Sequence, residues 1–323
     1  MRAAISIDYL TFRVMDMGLV EVITSVLGMA FDGFELINGG LNRYKKTARY
    51  GNIKVLYGGK ENMGICVTMT GQACREYEFY HGENGGGIML LVECIAQADN
   101  INITRLDIAC DDFAGALCMD AIIYHADNGL VRTRSTSHTR HESFKGSEKA
   151  GKSVYFGSSH SPFRLRIYDK AKQMYDADDP RYNEPWIRME LQLRHEYAEQ
   201  AGALLVTNNN LGAAVAGLIS DKINFITLDD SNISRCSLAD WWQEFLGDIE
   251  DVSLISSPKT THDIDTHLDW LKTSCSRIIA KVIDAVGQER FDREITAYGK
   301  FRLTQSDLLS IEHYKKILEK GKR

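Results

Sequence analysis

Three segments of this chain alternate apolar and polar side chains with a period of two, and this pattern constrains the fold more than any other feature. A period of two places alternate side chains on opposite faces of a β-strand. The polar faces carry Arg105, Asp107 and Asp111 in Ile103–Asp111, Arg164, Arg166, Tyr168 and Lys170 in Phe163–Lys170, and Arg188, Glu190, Gln192 and Arg194 in Trp186–Arg194. Each segment is therefore predicted to be a strand with one packed face and one charged face.

The remaining segments mix short strands with helices. Further strands are predicted at Ile5–Arg13, Ile53–Tyr57, Ile65–Met69, Val131–Arg140 and Ser153–Phe156, and helices at Met119–Ala126 and before Leu27 and Ala98. The strands after residue 131 lie too close together for a helix between each pair, which favours antiparallel pairing. The predicted fold class is α+β, with a central, mostly antiparallel sheet backed by helices.

After Glu196 the sequence pattern is typical of helices. Helices are predicted at Glu196–Val206, Leu211–Asn224, Leu238–Leu246, Ile264–Val286, Gln288–Tyr298 and Gln305–Lys320. A polar break with a proline at Ser256–Lys259 marks the boundary. We predict a catalytic domain over residues 1–255, with its core ending near 200. A helical module over 256–323 is expected to serve DNA binding, dimer contact or partner contact.

The charge distribution is uneven. The net charge is −6, yet Val131–Lys172 contains ten Lys and Arg against three acidic residues, a local charge of +7. A basic stripe on an acidic body can dock DNA locally, although a solvated charge run is the plainer interpretation. If Val131–Arg140 is one strand, Arg132, Arg134, His138 and Arg140 share a face and could follow a DNA backbone, as could Arg164. A charged outer sheet face is equally compatible with this row.

If the three strands share one sheet, Tyr168 lies among cations beside Asp107, Asp111 and Glu190. Phosphodiester transfer needs a nucleophile, a cation on the non-bridging oxygens and positive side chains around the transition state. Tyrosine can supply the nucleophile, and carboxylates suit Mg²⁺ or Mn²⁺. Arg166 and Lys170 are expected to favour the phenolate. Spacing alone is weak support, because cross-strand ion pairs and packed tyrosines are common.

Three motifs together resemble the replication initiation factor (Rep_trans) family of rolling-circle plasmid initiators and conjugative-element relaxases. They are the segment Thr104–Phe113, the segment Arg166–Lys170 with Gly157-Ser158 before it, and Arg188–Leu191, and the resemblance covers about residues 1 to 200. It implies that Tyr168 attacks DNA at a replication or transfer origin, giving a 5′-phosphotyrosine and a free 3′-OH. It also implies a divalent metal on Asp107 and Glu190, with Asp111 a weaker candidate. From the strand pattern, Arg166, Lys170 and Arg188 are predicted to be the catalytic cations.

Two other functions stay open at this point. The chain could be a non-catalytic origin-binding and recruitment protein, or a metal-dependent nuclease that uses activated water. DNA is the expected partner in each case, with a helicase and a second copy of the chain as further candidates. The start of the chain has no unbroken apolar stretch typical of a signal peptide, and its seven cysteines form no C-x-x-C pair, so a cytoplasmic location is expected.

Overall fold

The computed structural model describes residues 2–81, 87–135, 137–145, 148–175, 177–208, 210–252, 268, 271–302 and 311. The chain divides into two compact units, Met1–Ser257 and Pro258–Arg323. The first unit contains a large antiparallel sheet with helices against it, so the predicted α+β class is confirmed.

The sheet of the first unit has ten strands, in the order β2-β3-β4-β5-β1-β6-β11-β10-β9-β8, and a separate pair joins β12 to β7. The strands are β1 Ala3–Val14, β2 Glu35–Ile37, β3 Lys46–Tyr50, β4 Ile53–Tyr57, β5 Ile65–Thr70, β6 Ile101–Asp112, β7 Val131–Thr133, β8 His138–Lys145, β9 Glu148–Phe156, β10 Phe163–Asp169, β11 Ile187–Arg194 and β12 Ile223–Phe225. The three strands with charged faces, β6, β11 and β10, are direct neighbours near the middle of the sheet.

Helices cover the apolar face of these strands. The helices of the first unit are α1 Leu19–Glu21, α2 Gly71–His81, α3 Gly87–Ala96, α4 Met119–Asp127, α5 Lys170–Met174, α6 Glu196–Thr207, α7 Leu211–Lys222 and α8 Asp240–Glu250, with a π-type turn at Val22–Val26 and 3₁₀ turns at Phe31–Gly33 and Pro180–Asn183. Helices α3 and α6 contact β6, and α4 contacts β9 and β10. Leu106, Ile108 and Leu191 are fully buried on that side. The helices therefore pack on the apolar face of these strands, and the polar face lies on the opposite side of the sheet.

The strand β1 carries an irregularity that matters for the site. Its pairing with β6 shifts between Ile7 and Tyr9, so Asp8 is the extra residue of a bulge. The bulge leaves both Asp8 and Tyr9 half-buried, where strict alternation would bury one of them. Gly71 lies against it, and a Cβ at Gly71 would come within 2.7 Å of Asp8 Oδ1.

Two sequence predictions were wrong in this unit. The predicted strand Val131–Arg140 is two strands in different sheets: β7 pairs with β12, whereas β8 is the edge of the ten-stranded sheet. The chain leaves β7 because Ser135 N–H donates to Thr133 Oγ1, a local bond that competes with strand pairing. The predicted helix Leu211–Asn224 ends at Lys222, after which β12 begins.

The second unit is helical where it is described. It contains helices at Ser276–Val286, Gln288–Phe291 and Ala297–Phe301, with π-type turns at Leu271–Cys275 and Asp292–Thr296. The predicted helix 305–320 and the start of the predicted helix 264–286 lie outside the described residues, apart from residues 311 and 268. Among the residues that the structure describes, no helix is both long and apolar enough to cross a bilayer.

Candidate active site

The strand register brings the predicted residues of β6, β10 and β11 together. Tyr168 pairs with Arg188, Arg166 with Glu190, Arg188 with Asp111, and Gln192 with Asp107. These side chains lie on the face opposite α3 and α6. The polar face of three neighbouring strands therefore forms one continuous cluster of opposite charges around a tyrosine.

Tyr168 is held by a carboxylate. Its hydroxyl donates to Glu190 Oε1 at 2.6 Å, and the two residues are only 4% and 5% exposed. Burial, the negative charge of Glu190 and this bond raise the pKa of Tyr168 well above its ordinary value, although Arg188 and Arg166 act against the rise. The neighbouring cations therefore act in the expected direction, but burial and Glu190 outweigh them in this state. The phenol is protonated, and its proton already points at an acceptor.

Two cations cover the Tyr168 ring. The Arg166 guanidinium carbon lies 3.9 Å from the ring centroid, and Lys170 Nζ lies 5.7 Å from it. Arg166 Nη1 is 3.5 Å from Glu190 Oε2. Burial and the nearby Arg188 lower the pKa of Lys170. Arg166 and Lys170 therefore occupy the positions predicted for them, directly around the tyrosine.

Arg188 is fixed by two carboxylates. Its Nε and Nη2 donate to the two oxygens of Asp111 at 2.8 and 2.7 Å, and Nη1 donates to Asp8 Oδ1 at 3.2 Å. Trp186 Nε1 also donates to Asp111 Oδ1, at 2.7 Å. Both oxygens of Asp111 are thus occupied by protein donors, and in this state Asp111 holds Arg188 opposite Tyr168.

Asp107 and Glu190 are the two carboxylates predicted to hold a metal, and in this state both contact protein donors. Asp107 is 5% exposed and accepts two bonds from Arg105, at 2.9 and 2.6 Å. Burial is the main cause of the raised pKa of Asp107, and the charge of Glu190 adds to it, whereas Arg105 opposes it. Two buried carboxylates that repel each other are relieved by a cation between them. The donor set therefore fits Mg²⁺ or Mn²⁺.

The fit is limited to two protein ligands. Within the described ranges, no group of three or more His, Cys, Asp or Glu side chains is placed to hold a metal ion. Mg²⁺ commonly binds through one or two carboxylates together with substrate phosphates and waters. A metal here would depend on the substrate to complete its coordination.

A second tyrosine extends the polar face along β9 and β10. The Tyr155 ring lies 4.2 Å from the Arg164 guanidinium carbon and 5.6 Å from that of Arg166. The Nε atoms of Arg164 and Arg166 are buried and have no hydrogen-bond partner in the described part of the chain. Unpaired buried donors next to the tyrosine are suited to an incoming anion.

The other predicted DNA-contacting residues do not form one row. Arg132 lies on β7, where its Nη1 donates to Ser234 O, and Arg134 follows that strand. Arg140 lies on β8 and pairs with Asp127 Oδ2 at 2.5 Å, while His138 contacts the other oxygen of Asp127. The predicted shared face was wrong, because it assumed one continuous strand. Roles of these residues in DNA binding stay predictions.

Sequence reasoning missed two residues that shape the site, Asp8 and Trp186. Asp8 reaches Arg188 only because of the bulge in β1, and the signal was the break in alternation at Asp8-Tyr9. Trp186 precedes β11 on the same face as Arg188, and a polar-face tryptophan two residues before an arginine was visible in the sequence. The partnership of Trp186 with Asp111 was not visible.

Comparisons with known proteins place the chain in a family. The replication initiation factor model matches residues 101–297, and the model of the rolling circle replication initiation protein N-terminal domain matches residues 4–91. A putative DNA relaxase, NicK of Bacillus subtilis (strain 168), is 26% identical over 291 residues, covering 86% of this chain and 80% of the relative. A solved rolling circle replication initiator protein from Geobacillus stearothermophilus matches with a TM-score of 0.69 and 29% identity, covering 79% of this chain and 99% of that one.

Proposed function

Because the chain belongs to the replication initiation factor family, we propose that it nicks and rejoins one DNA strand at a replication or transfer origin, with Tyr168 as the nucleophile. The relatives described as a rolling circle initiator and a putative DNA relaxase support DNA nicking. The observation that carries the tyrosine assignment is the bond from the Tyr168 hydroxyl to Glu190 at 2.6 Å, in the middle of the cationic face.

The proposed step moves one proton and exchanges one bond. Tyr168 Oη attacks the phosphorus as its proton passes to Glu190, which is already in hydrogen-bond contact. The bond from phosphorus to the 3′ oxygen breaks, leaving a 5′-phosphotyrosine and a 3′ oxygen that takes a proton from Lys170. The lowered pKa of Lys170 suits it to that donation. Reversal of the same transfers rejoins the strand.

The cations around Tyr168 stabilise the charge that the step creates. The free Nε donors of Arg164 and Arg166 point to phosphate binding beside the ring. Arg188 stays in place because Asp8 and Asp111 hold it, so its guanidinium lies opposite Tyr168 without reorganisation during the step. Preorganised charge in a site with little water is worth more than the same charge at the surface.

A divalent cation is part of the proposal. Asp107 and the second oxygen of Glu190 would hold Mg²⁺ or Mn²⁺, which would neutralise charge on a non-bridging phosphate oxygen. Asp111 is assigned to Arg188, because it binds Arg188 and Trp186 together, whereas Asp107 is bound by Arg105 alone and would exchange that partner for the metal.

A gel experiment tests the nucleophile. The purified protein is incubated with Mg²⁺ or Mn²⁺ and labelled single-stranded oligonucleotides that tile candidate origins, and the products are separated on denaturing gels. A labelled band that migrates with the protein is expected for the wild type and for Tyr155→Phe, and is expected to be absent for Tyr168→Phe.

The other outcomes identify the alternatives. Cleavage by Tyr168→Phe that gives free ends and no adduct would establish a water-using nuclease. An adduct lost in Tyr155→Phe but kept in Tyr168→Phe would move the nucleophile to β9. DNA binding without cleavage under either metal would leave an origin-binding and recruitment protein.

A further inference from the structure

A row of side chains crosses six neighbouring strands on the same face of the sheet as Tyr168. The strand registers place its members directly opposite one another, from β11 through β6, β1, β5 and β4 to β3. The members of this cation–threonine row are Arg194, Arg105, Thr11, Thr68, Lys54 and Arg49. Neighbouring strands lie about 4.8 Å apart, so the row is about 24 Å long.

The row is accessible to solvent. Arg49 is exposed and the other five members are half-buried, whereas Leu10, Val55 and Val67 on the opposite face of the same strands are fully buried. A small apolar cluster that contains Tyr44 borders the row on β4 and β5. The row is therefore a strip of polar side chains that a ligand can reach without displacing the core.

Two pairs of like charges face each other in the row. Arg194 is directly opposite Arg105, and Lys54 is directly opposite Arg49, with the two threonines between these pairs. Like charges directly opposite each other on neighbouring strands destabilise a sheet. Burial and the charge of Arg105 lower the pKa of Arg194, as such repulsion requires. A bound anion would relieve the repulsion in both pairs.

Carboxylates neutralise only two of the four cations. The Nη2 atoms of Arg105 and Arg49 lie 2.6 and 2.7 Å from a carboxylate oxygen. Among the described residues, neither Arg194 nor Lys54 has a carboxylate within ion-pair distance. These two cations are four strands apart, or about 19 Å. They are therefore available to two separate phosphates.

The row is connected to the Tyr168 site through β11. Arg188 lies opposite Tyr168, and Arg194 is six residues further along the same strand on the same face. Six residues of a strand span about 20 Å. A phosphate held in the row is therefore a different one from the phosphate at Tyr168, and one DNA strand lying on this face can contact both places.

The chemistry of the row suits phosphate groups and not bases. Lysine and arginine bind phosphate oxygens, and threonine hydroxyls donate to them. None of the six members has an aromatic ring on which a base could stack. The positive charges form a single line, which matches the one backbone of a single strand and not the two backbones of a duplex.

We propose that the cation–threonine row binds the backbone of single-stranded DNA, independently of base sequence, at phosphates distant from the one that Tyr168 attacks. The inference rests on the proposed function, and it assigns DNA binding to the N-terminal half of the sheet. Arg194 and Lys54 hold separate phosphates, and Thr11 and Thr68 donate hydrogen bonds to the backbone between them.

Two lysines on neighbouring strands provide a matched test. Lys54 belongs to the row, whereas Lys46 lies on the opposite face, because its partner Tyr57 is three residues from Lys54 on β4. The full chain carrying Tyr168→Phe is titrated, with a chelator present to prevent cleavage, against labelled oligo-dT and oligo-dA of equal length. Anisotropy is measured at several salt concentrations.

The row predicts a loss at one lysine only. Adding Lys54→Gln is expected to weaken binding of both oligonucleotides about fivefold. It should also reduce the slope of log affinity against log salt by about 0.7. Adding Lys46→Gln is expected to change neither quantity. Arg194→Gln should repeat the loss at the other end of the row, and the double variant should lower the slope by about 1.4, because the two cations bind separate phosphates.

Thermal unfolding separates a binding role from a structural one. Removing one of two facing like charges should leave the unfolding midpoint of Lys54→Gln unchanged or raise it. A lower midpoint would show that Lys54 supports the fold, and it would overturn the argument from repulsion.

Other binding results would also overturn the proposal. Equal losses for Lys46→Gln and Lys54→Gln would indicate a general effect of charge and not a row. A loss confined to oligo-dT or to oligo-dA would indicate contact with bases. A loss for a duplex of the same length, with none for the single strands, would refute the assignment to single-stranded DNA.

The result is separable from the test of the nucleophile, because binding is measured without cleavage. A covalent adduct formed by the wild type, with no effect of Lys54→Gln or Arg194→Gln on binding, would defeat the row alone. Weaker binding by these two variants, together with no adduct in the wild type, would defeat the nucleophile and leave a surface that binds single-stranded DNA.

Discussion

The centre of the sheet and its β8–β9 edge are both rich in charged side chains, but these are buried at the centre and exposed at the edge. At the centre, Asp107, Asp111 and Glu190 are each about 5% exposed, and every one of them contacts a protein donor. At the edge, Arg140 of β8 pairs in solvent with Asp127 at the end of α4, and their side chains are 55% and 39% exposed.

The contrast shows why counting charges along the chain does not separate the residues of the site from those of the edge. Val131–Lys172 holds the densest positive charge of the chain, yet exposed pairs such as Arg140 with Asp127 are screened by water and contribute little. The central charges are fewer, but burial strengthens their interactions with each other and with a bound anion. An exposed edge strand with charged side chains also discourages pairing with other chains, which is reason enough for its composition.

The largest expected effect concerns the two arginines of the comparison. Arg188→Met leaves Asp111 and Asp8 without their shared partner, so we expect the free energy of unfolding to fall by about 3–5 kcal/mol. Arg140→Met, the matched change at the edge, is expected to cost at most about 1 kcal/mol. Urea denaturation of both variants measures the difference, and equal losses would show that burial does not separate the two regions.

The second largest expected effect is stabilisation by a metal ion, which should depend on the centre of the sheet and not on its edge. If Asp107 and Glu190 hold Mn²⁺, a hundredfold excess over its Kd stabilises the folded chain by about 2.7 kcal/mol. Thermal unfolding with Mn²⁺ or with a chelator should show this as a higher midpoint, which Asp107→Asn abolishes. The control is Asp127→Asn at the end of α4, whose partner Arg140 lies on the edge strand β8, and this variant should keep the shift. A shift that survives Asp107→Asn would place the ion elsewhere.

DNA binding offers a third comparison, of about 1 kcal/mol. Arg164 has an unpaired buried Nε beside Tyr155, whereas Arg140 is already neutralised by Asp127. Arg164→Ala should weaken binding of a single strand and reduce the slope of log affinity against log salt by about 0.7, and Arg140→Ala should leave the slope unchanged. Titrations at several salt concentrations measure both slopes. An equal reduction of the slope for Arg140→Ala would show that the β8–β9 edge also contacts the DNA backbone.

The smallest expected effect appears in alkali. Burial and Glu190 raise the pKa of Tyr168, so the folded chain keeps the phenolic proton at pH values where the unfolded chain, with a pKa of about 10, releases it. The stability that this proton provides is complete below pH 10 and is lost as the pH rises further. At pH 10.5 the wild type should have lost about 1 kcal/mol or less of its free energy of unfolding through this effect, and Tyr168→Phe should not show that loss. Urea denaturation measures the free energy of unfolding of both proteins against pH. Parallel pH dependences would mean that the folded chain does not retain the phenolic proton of Tyr168.

The polar faces of β6, β10 and β11 were predictable because each is local to one strand. Alternation alone assigned Asp107, Arg166, Tyr168 and Glu190 to polar faces, and the register then made these faces neighbours. The false strand at Val131–Arg140 came from the same rule, applied across Ser135, whose backbone bonds to Thr133 and not to a neighbouring strand.

What the sequence by itself determined was the α+β class, the strands of the site and the side chains on their polar faces, because a two-residue period depends only on neighbours in the chain. Only the tertiary structure decided which charges pair. The bulge brings Asp8 within hydrogen-bond distance of Arg188, and Trp186 donates to Asp111. Glu190 accepts from the Tyr168 hydroxyl on the neighbouring strand. The protonation of Tyr168 was also decided there, since burial depends on the folded environment and outweighed the cations next to it in the sequence.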